Sequence, residues 1–199
     1  MPCRSDANDE ADAALVANAF GLTTVRVDLN ASYEALLDSA SAALAALPPE
    51  MRGASGEAVE RTVSGNIRAR LRMATLYYVA NSLEYVVVGT GNRSELTIGY
   101  FTKHGDGGVD LLPIGHLLKN EVRNVARELG VPQEIIDKAP SAGLWPGQTD
   151  EAEMGFSYAD LERYLTNGPE GVSPALALRL ERVIRSTEHK RTLPPTPES

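Results

Sequence analysis

Cysteine is almost absent from this chain. Cys3 is the only one in 199 residues, so no intramolecular disulfide and no cysteine-based zinc site can be built. The three histidines, His104, His116 and His189, are too scattered for a metal cluster. No run approaches the roughly 18 consecutive apolar residues of a membrane-spanning helix. Met1-Pro2-Cys3-Arg4 is not followed by the apolar core of a signal peptide. A positive excess is lacking too: Lys+Arg 19 against Asp+Glu 27 gives a formal net charge of −8, which argues against a general nucleic-acid binder. These absences predict a cytoplasmic protein with no nucleic-acid and no membrane partner.

What is present is unevenly spread. Arg61, Arg68, Arg70 and Arg72 fall in one segment without an acid, and Arg179 to Arg191 is also basic. Two basic segments far apart make an anion site if the fold joins them, and two solvated helix faces if it does not. Helical patterns run from Asp6 to Phe20, with Asp6 as cap and Gly21 as stop, and from Ser32 to Leu47. A longer one runs from Glu57 to Ser82, with Val63, Ile67 and Leu71 on one side and Arg68 and Arg72 on another. Further helices are predicted at Ile114 to Leu129, Pro132 to Lys138, Ser157 to Leu165 and Ser173 to Ser186, with loops at Met51 to Gly56, Gly99 to Pro113 and Ala139 to Asp150. Thr23 to Leu29 alternates like a strand, and Tyr85-Val-Val-Val88 reads as a buried parallel strand. The pattern predicts an α/β fold, a parallel sheet flanked by helices, with only two convincing strands.

Chemistry concentrates between Val86 and Asp110. A strand running into Gly89-Thr90-Gly91 puts Thr90 where open α/β sheets bind ligands. Glu95 offers a hard cation such as Mg²⁺ an oxygen ligand, or is simply a first-turn acid. Lys103 precedes the Gly105-Asp106-Gly107-Gly108 turn, either near a ligand or as a loop charge. Trp145, the only tryptophan, reads as a packing residue of its loop.

The segment GTGNRSELTIGYFTKHGDGGVDLLPIGHLLKNEVRNVARELG, Gly89 to Gly130, resembles the ammonia-dependent NAD synthetases of the ATP pyrophosphatase family. GNIRARLRM (65–73), APSAGLWPGQTDE (139–151), GFSYADLERYL (155–165) and EHKR (188–191) agree in the same order. The resemblance implies an adenine nucleotide alpha hydrolase-like fold. It also implies ATP-dependent amidation of nicotinic acid adenine dinucleotide by ammonia, through an acyl-adenylate, giving NAD, AMP and pyrophosphate. It places Arg70, Lys103, Asp110, His189 and Lys190 at the dinucleotide, Thr90, Lys119 and Ser141 at ATP, and Glu95 at Mg²⁺; no catalytic side chain is assigned. Ser141 stands where a threonine is common, and either supplies a hydroxyl. Lys119 as a solvated first-turn lysine and His189 as a tail residue remain the alternatives. A homodimer is implied as well.

One departure stands out. The family's SGGxDS phosphate loop, whose backbone amides face the ATP phosphates, has no counterpart in this sequence. The chain is therefore expected to be one NAD synthetase domain over 1–199, with a 192–199 tail. It is expected to lack the N-terminal phosphate-loop portion and first strands, to be poorly soluble or reliant on a partner, and to be inactive alone. A non-catalytic dinucleotide-binding paralogue and a helical dimerisation module built on Glu57 to Ser82 are the alternatives.

Overall fold

The computed structural model describes residues 1–53, 56–143 and 147–197. Trp145, and part of the 51–56 loop, lie outside these. Nine α-helices order the described residues: α1 Ala7–Ala19, α2 Asn30–Ala45, α3 Glu57–Leu83, α4 Arg93–Ile98, α5 Lys119–Glu128, α6 Gln133–Asp137, α7 Asp150–Met154, α8 Tyr158–Asn167 and α9 Pro174–Ser186. Several boundaries follow from caps that stand in the sequence. The Asp6 carboxylate accepts from the Asn8 amide and Gly21 leaves α1 at φ 61°, while Ser157 and Ser173 cap α8 and α9 in the same way.

The expected sheet is where sequence and structure part. Among the described residues the only β-pairing is one isolated parallel bridge, Val88 to Leu111. Thr23 to Leu29 forms no strand; its Val25 is 69% exposed, and one backbone bond, from the Leu29 amide to the Pro2 carbonyl, ties its end down. Tyr85 to Val88 is not a buried strand either. Val87 is buried, whereas Tyr85, Val86 and Val88 are exposed. Alternation and β-branching describe a segment's faces, but a ladder needs a neighbour that supplies the other half of each hydrogen bond.

Other corrections have local causes. The pattern at 114–129 yields a helix only from Lys119, because residues 114 to 117 are spent on turns in which Gly115 and Leu117 bond back to Leu112 and Ile114. Neither α4 nor α7 is long enough to leave a period in the sequence. In α3 the inward side carries Gly65, Arg68 and Ala80, while Val63 points outward at 54% exposure. The Arg68 guanidinium lies over the Tyr33 ring, its Cζ 5.9 Å from the centroid, so the buried cation faces an aromatic π-surface.

Two apolar clusters hold the fold. Cys3, Leu29 and Tyr33 form one, with Ile67 and Leu71 of α3 against them. Ile98, Met154, Phe156, Tyr158, Leu161 and Leu180 form the other, joining α4, α7, α8 and α9. This second cluster backs the segment in which the chemistry was expected.

Candidate functional site

The turn after Val88 is built for close approach. A Cβ on Gly89 would stand within 3 Å of Val109 and Leu112. Asp110 holds the turn from the other side: Oδ2 accepts the Val87 amide at 2.8 Å and Oδ1 the Tyr77 hydroxyl at 2.9 Å. Both of its oxygens are thus engaged within the chain. Asn92 and Glu95 then form a reciprocal capping box at the start of α4. Glu95 Oε1 accepts from Lys119 Nζ at 2.7 Å, with both side chains largely shielded. Residues 24 apart in sequence are brought together by the turns before α5.

From this ion pair a polar chain leads inward. Lys119 Nζ sits 5.3 Å from the Tyr158 ring centroid, and the Tyr158 hydroxyl donates to Asp150 Oδ2 at 2.8 Å. Burial pushes the Asp150 carboxyl above its ordinary range; the Tyr158 hydrogen bond and the Lys119 charge oppose the shift. Glu153 Oε2 accepts from the Tyr100 hydroxyl and from Gln148 Nε2, at 2.8 and 2.7 Å. Burial, then the Glu153 bond, push the Tyr100 phenol far up, so it remains a donor at neutral pH. Tyr100, Gln148 and Glu153 line a cavity of about 470 Å³ together with Thr90, Asp106, Arg72 and Lys190.

Four of the five predicted dinucleotide residues, Arg70, Lys103, His189 and Lys190, lie around the glycine loop, while Asp110 is held at the Gly89 turn. Arg70 of α3 donates from Nε and Nη2 to the Lys103 carbonyl, both at 3.3 Å. The Lys103 ammonium reaches the His189 carbonyl. The two basic segments of the sequence are therefore joined by the fold. Lys190 Nζ bonds the carbonyls of Gly99 and Phe101, each at 2.7 Å. Lys119 and Ser141 line a second cavity of about 340 Å³, walled by Val122, Val131 and Ile135; Thr90 belongs to the first. Asp106, Tyr100, Gln148, Asp150, Glu153 and Tyr158 were not singled out from the sequence. GQTDE and GFSY had marked three of these positions, Gln148, Asp150 and Tyr158, as motif without a role.

Among the described residues no group of three His, Cys, Asp or Glu is arranged to hold a metal ion. Glu95 nevertheless suits Mg²⁺, which usually takes one or two carboxylates and completes its shell with phosphate and water. A cation, the Lys119 ammonium, already lies on that carboxylate.

A small-residue turn beyond one apolar segment, clustered cations and a shielded carboxylate–lysine pair are features that an anionic ligand would use. Comparison with known proteins narrows this. The NAD synthase family model matches residues 1–194. An NH(3)-dependent NAD(+) synthetase of Carboxydothermus hydrogenoformans is 51% identical over 99% of this chain and 76% of its own length. Among solved structures, an NMN synthetase from Francisella tularensis superposes with TM-score 0.86 at 35% identity, over 100% of this chain and 76% of that one. An NH3-dependent NAD synthetase from Campylobacter jejuni, in complex with the nitrate ion, gives 0.70 at 24% identity, over 98% and 73%. The chain belongs to the NAD synthase family. Its neighbours share the nucleotide alpha-hydrolase type of fold.

Proposed function

We propose that this chain is an ammonia-dependent NAD synthetase: a ligase that converts nicotinic acid adenine dinucleotide to NAD at the expense of ATP. The observation that carries the reading is the joining of Arg70, Lys103 and the His189 segment through Lys103 hydrogen bonds, within a chain 51% identical to such an enzyme.

A carboxylate is a poor electrophile. In the first step its oxygen attacks the α-phosphorus of ATP, the bond to the bridging oxygen breaks, and pyrophosphate leaves. Ammonia then adds to the acyl carbon, loses a proton, and AMP departs with the acyl oxygen. The protein contributes orientation and charge neutralisation. Arg70 and Lys103 would hold the pyrophosphate and carboxylate of the dinucleotide, with Asp110, His189 and Lys190 around them. Thr90, Lys119 and Ser141 would take ATP. When bound at Glu95, Mg²⁺ would neutralise phosphate charge. Lys119, shielded beside Glu95, is poised to exchange that carboxylate for a phosphate oxygen.

The proposal extends to a single domain over 1–199 with a 192–199 tail, to a homodimer, and to a cytoplasmic place of work. It includes a parallel sheet, of which the Val88–Leu111 bridge is the part formed among the described residues. It also holds that the 199-residue polypeptide alone does not turn over, since no SGGxDS loop is in its sequence.

The test is a chimera in which a segment carrying the family's SGGxDS loop is placed before Met1. NAD formation that requires the acid dinucleotide, ATP, Mg²⁺ and ammonia is expected, and a folded but inactive chimera overturns the reading. A second reading follows from the overlap with the NMN synthetase: the acid mononucleotide is the substrate. Offering both acids to the chimera in competition decides between them.

A further inference from the structure

Ser141 borders the second cavity and its neighbour Ala142 the first, so one short stretch of chain contributes to the walls of both. Within it the Ser141 hydroxyl accepts the Gly143 amide at 3.1 Å. On its far side the Asp150 amide, at the start of α7, donates to the Pro140 carbonyl at 3.0 Å. On its near side Lys138 Nζ reaches Asp9 Oδ1 at 2.8 Å and Asp12 Oδ2 at 2.6 Å, partners 129 and 126 residues away in sequence. Asp9 and Asp12 stand three apart in α1 and therefore share one face of it. Past Ser141 the chain returns to the same helix. Gly143 has φ 62°, and a Cβ there would stand 3.2 Å from Asp9 Oδ2. Ser141 is thus bracketed by Lys138 on one oxygen of Asp9 and by Gly143 beside the other.

We infer that the acidic face of α1 buttresses the Ser141 segment, and that Lys138 is a positioning residue for Ser141. A buttress has to be fixed itself, and α1 is. Arg72 of α3 donates from Nη2 to Ser5 Oγ at 2.9 Å and from Nε to the Met1 carbonyl at 3.2 Å, directly before the Asp6 cap of α1. Lys138 lines the second cavity, but with two carboxylates on its ammonium it spends its charge on α1. These pairs are about half exposed, so their hold is modest and weakens with salt. It acts on local opening of the segment and not on the global fold. The anchor is a property of the ligand-free chain; that it serves ATP through Ser141 rests on the function proposed above.

Hydrogen–deuterium exchange on the ligand-free 199-residue protein reads the anchor. In Lys138→Met the Gly143 and Asp150 amides should exchange about two- to fivefold faster at low salt, the range that exposed ion pairs support. High salt should close the gap, amides of α8 should not change, and Lys138→Arg should keep most of the protection. The double variant Asp9→Asn/Asp12→Asn, which leaves the Lys138 ammonium free to meet a ligand, should behave like Lys138→Met. In the chimera described above, both should raise KM for ATP by a similar factor and leave kcat and the KM for the dinucleotide where they were. Unchanged exchange in both variants overturns the inference, as does faster exchange with an unmoved KM for ATP. A KM for ATP that rises in Lys138→Met and falls in the double variant also overturns it, because Lys138 then contacts the nucleotide directly. Faster exchange in a chain whose chimera forms no NAD leaves the anchor standing and counts against the proposed function.

Discussion

The two halves of the molecule are held together differently. Past Arg93, short helices are capped by Asn92, Thr149, Ser157 and Ser173, and Leu161 and Leu180 are fully buried. Before Tyr85, longer helices have more apolar residues than they have places to put them. Of twenty exposed large hydrophobics among the described residues, fifteen lie at or before Val88. The accessible surface is 13001 Å², whereas a compact monomer of this mass would expose roughly 9,100 Å². The C-terminal half closes on itself, whereas the N-terminal half leaves apolar surface uncovered. Length and periodicity of a helix do not guarantee burial; partners do.

This contrast can be broken at its strongest point first. Leu180→Ala should cost about 2–5 kcal/mol, read as a drop in denaturation midpoint, while Leu44→Ala, at an exposed position, should stay within about 0.5 kcal/mol. Equal costs would erase the distinction between the halves. Gly99→Ala meets both a positive φ and the Thr187 side chain, and about 1–3 kcal/mol of destabilisation is expected. Gly21→Ala, also at positive φ but in open space, should cost less.

The buried Asp150 sharpens the comparison through pH. Its folded-state pKa is raised by burial, so the folded chain retains that proton to higher pH than the unfolded one. The associated stability is fully present below the unfolded carboxylate value, about 3.9, and is lost as pH rises through the folded one. Asp150→Asn should therefore flatten the fall in thermal midpoint across this window, and parallel curves for the two proteins would refute it. The smallest effect belongs to Lys138, which pairs with Asp9 and Asp12 across the surface while about half exposed. Lys138→Met should cost less than about 1 kcal/mol and nothing at high salt.

Much of this was legible in the residues. The capped helices α1, α8 and α9 fall within a residue or two of their sequence boundaries, since a cap is a local interaction. The link between Arg70 and the EHKR segment, made through Lys103, was visible only as two charge clusters. Asp110, Glu95 and Lys119 were visible as motif positions, but not the bonds that engage them. Thr23 to Leu29 and Tyr85 to Val88 carried strand chemistry without strand partners. Lys190 was legible only as a cation.

By itself the sequence determined the family, the helix caps and the chemical types around the site, because each depends on residues close together or on motif identity. Tertiary structure alone decided that Lys119 meets Glu95, that Arg68 turns inward onto Tyr33, and that carbonyls at and beyond the end of α4 are met by Thr187, Lys190 and Arg191. These depend on which distant groups are left without partners once the helices pack, and no local pattern encodes that remainder.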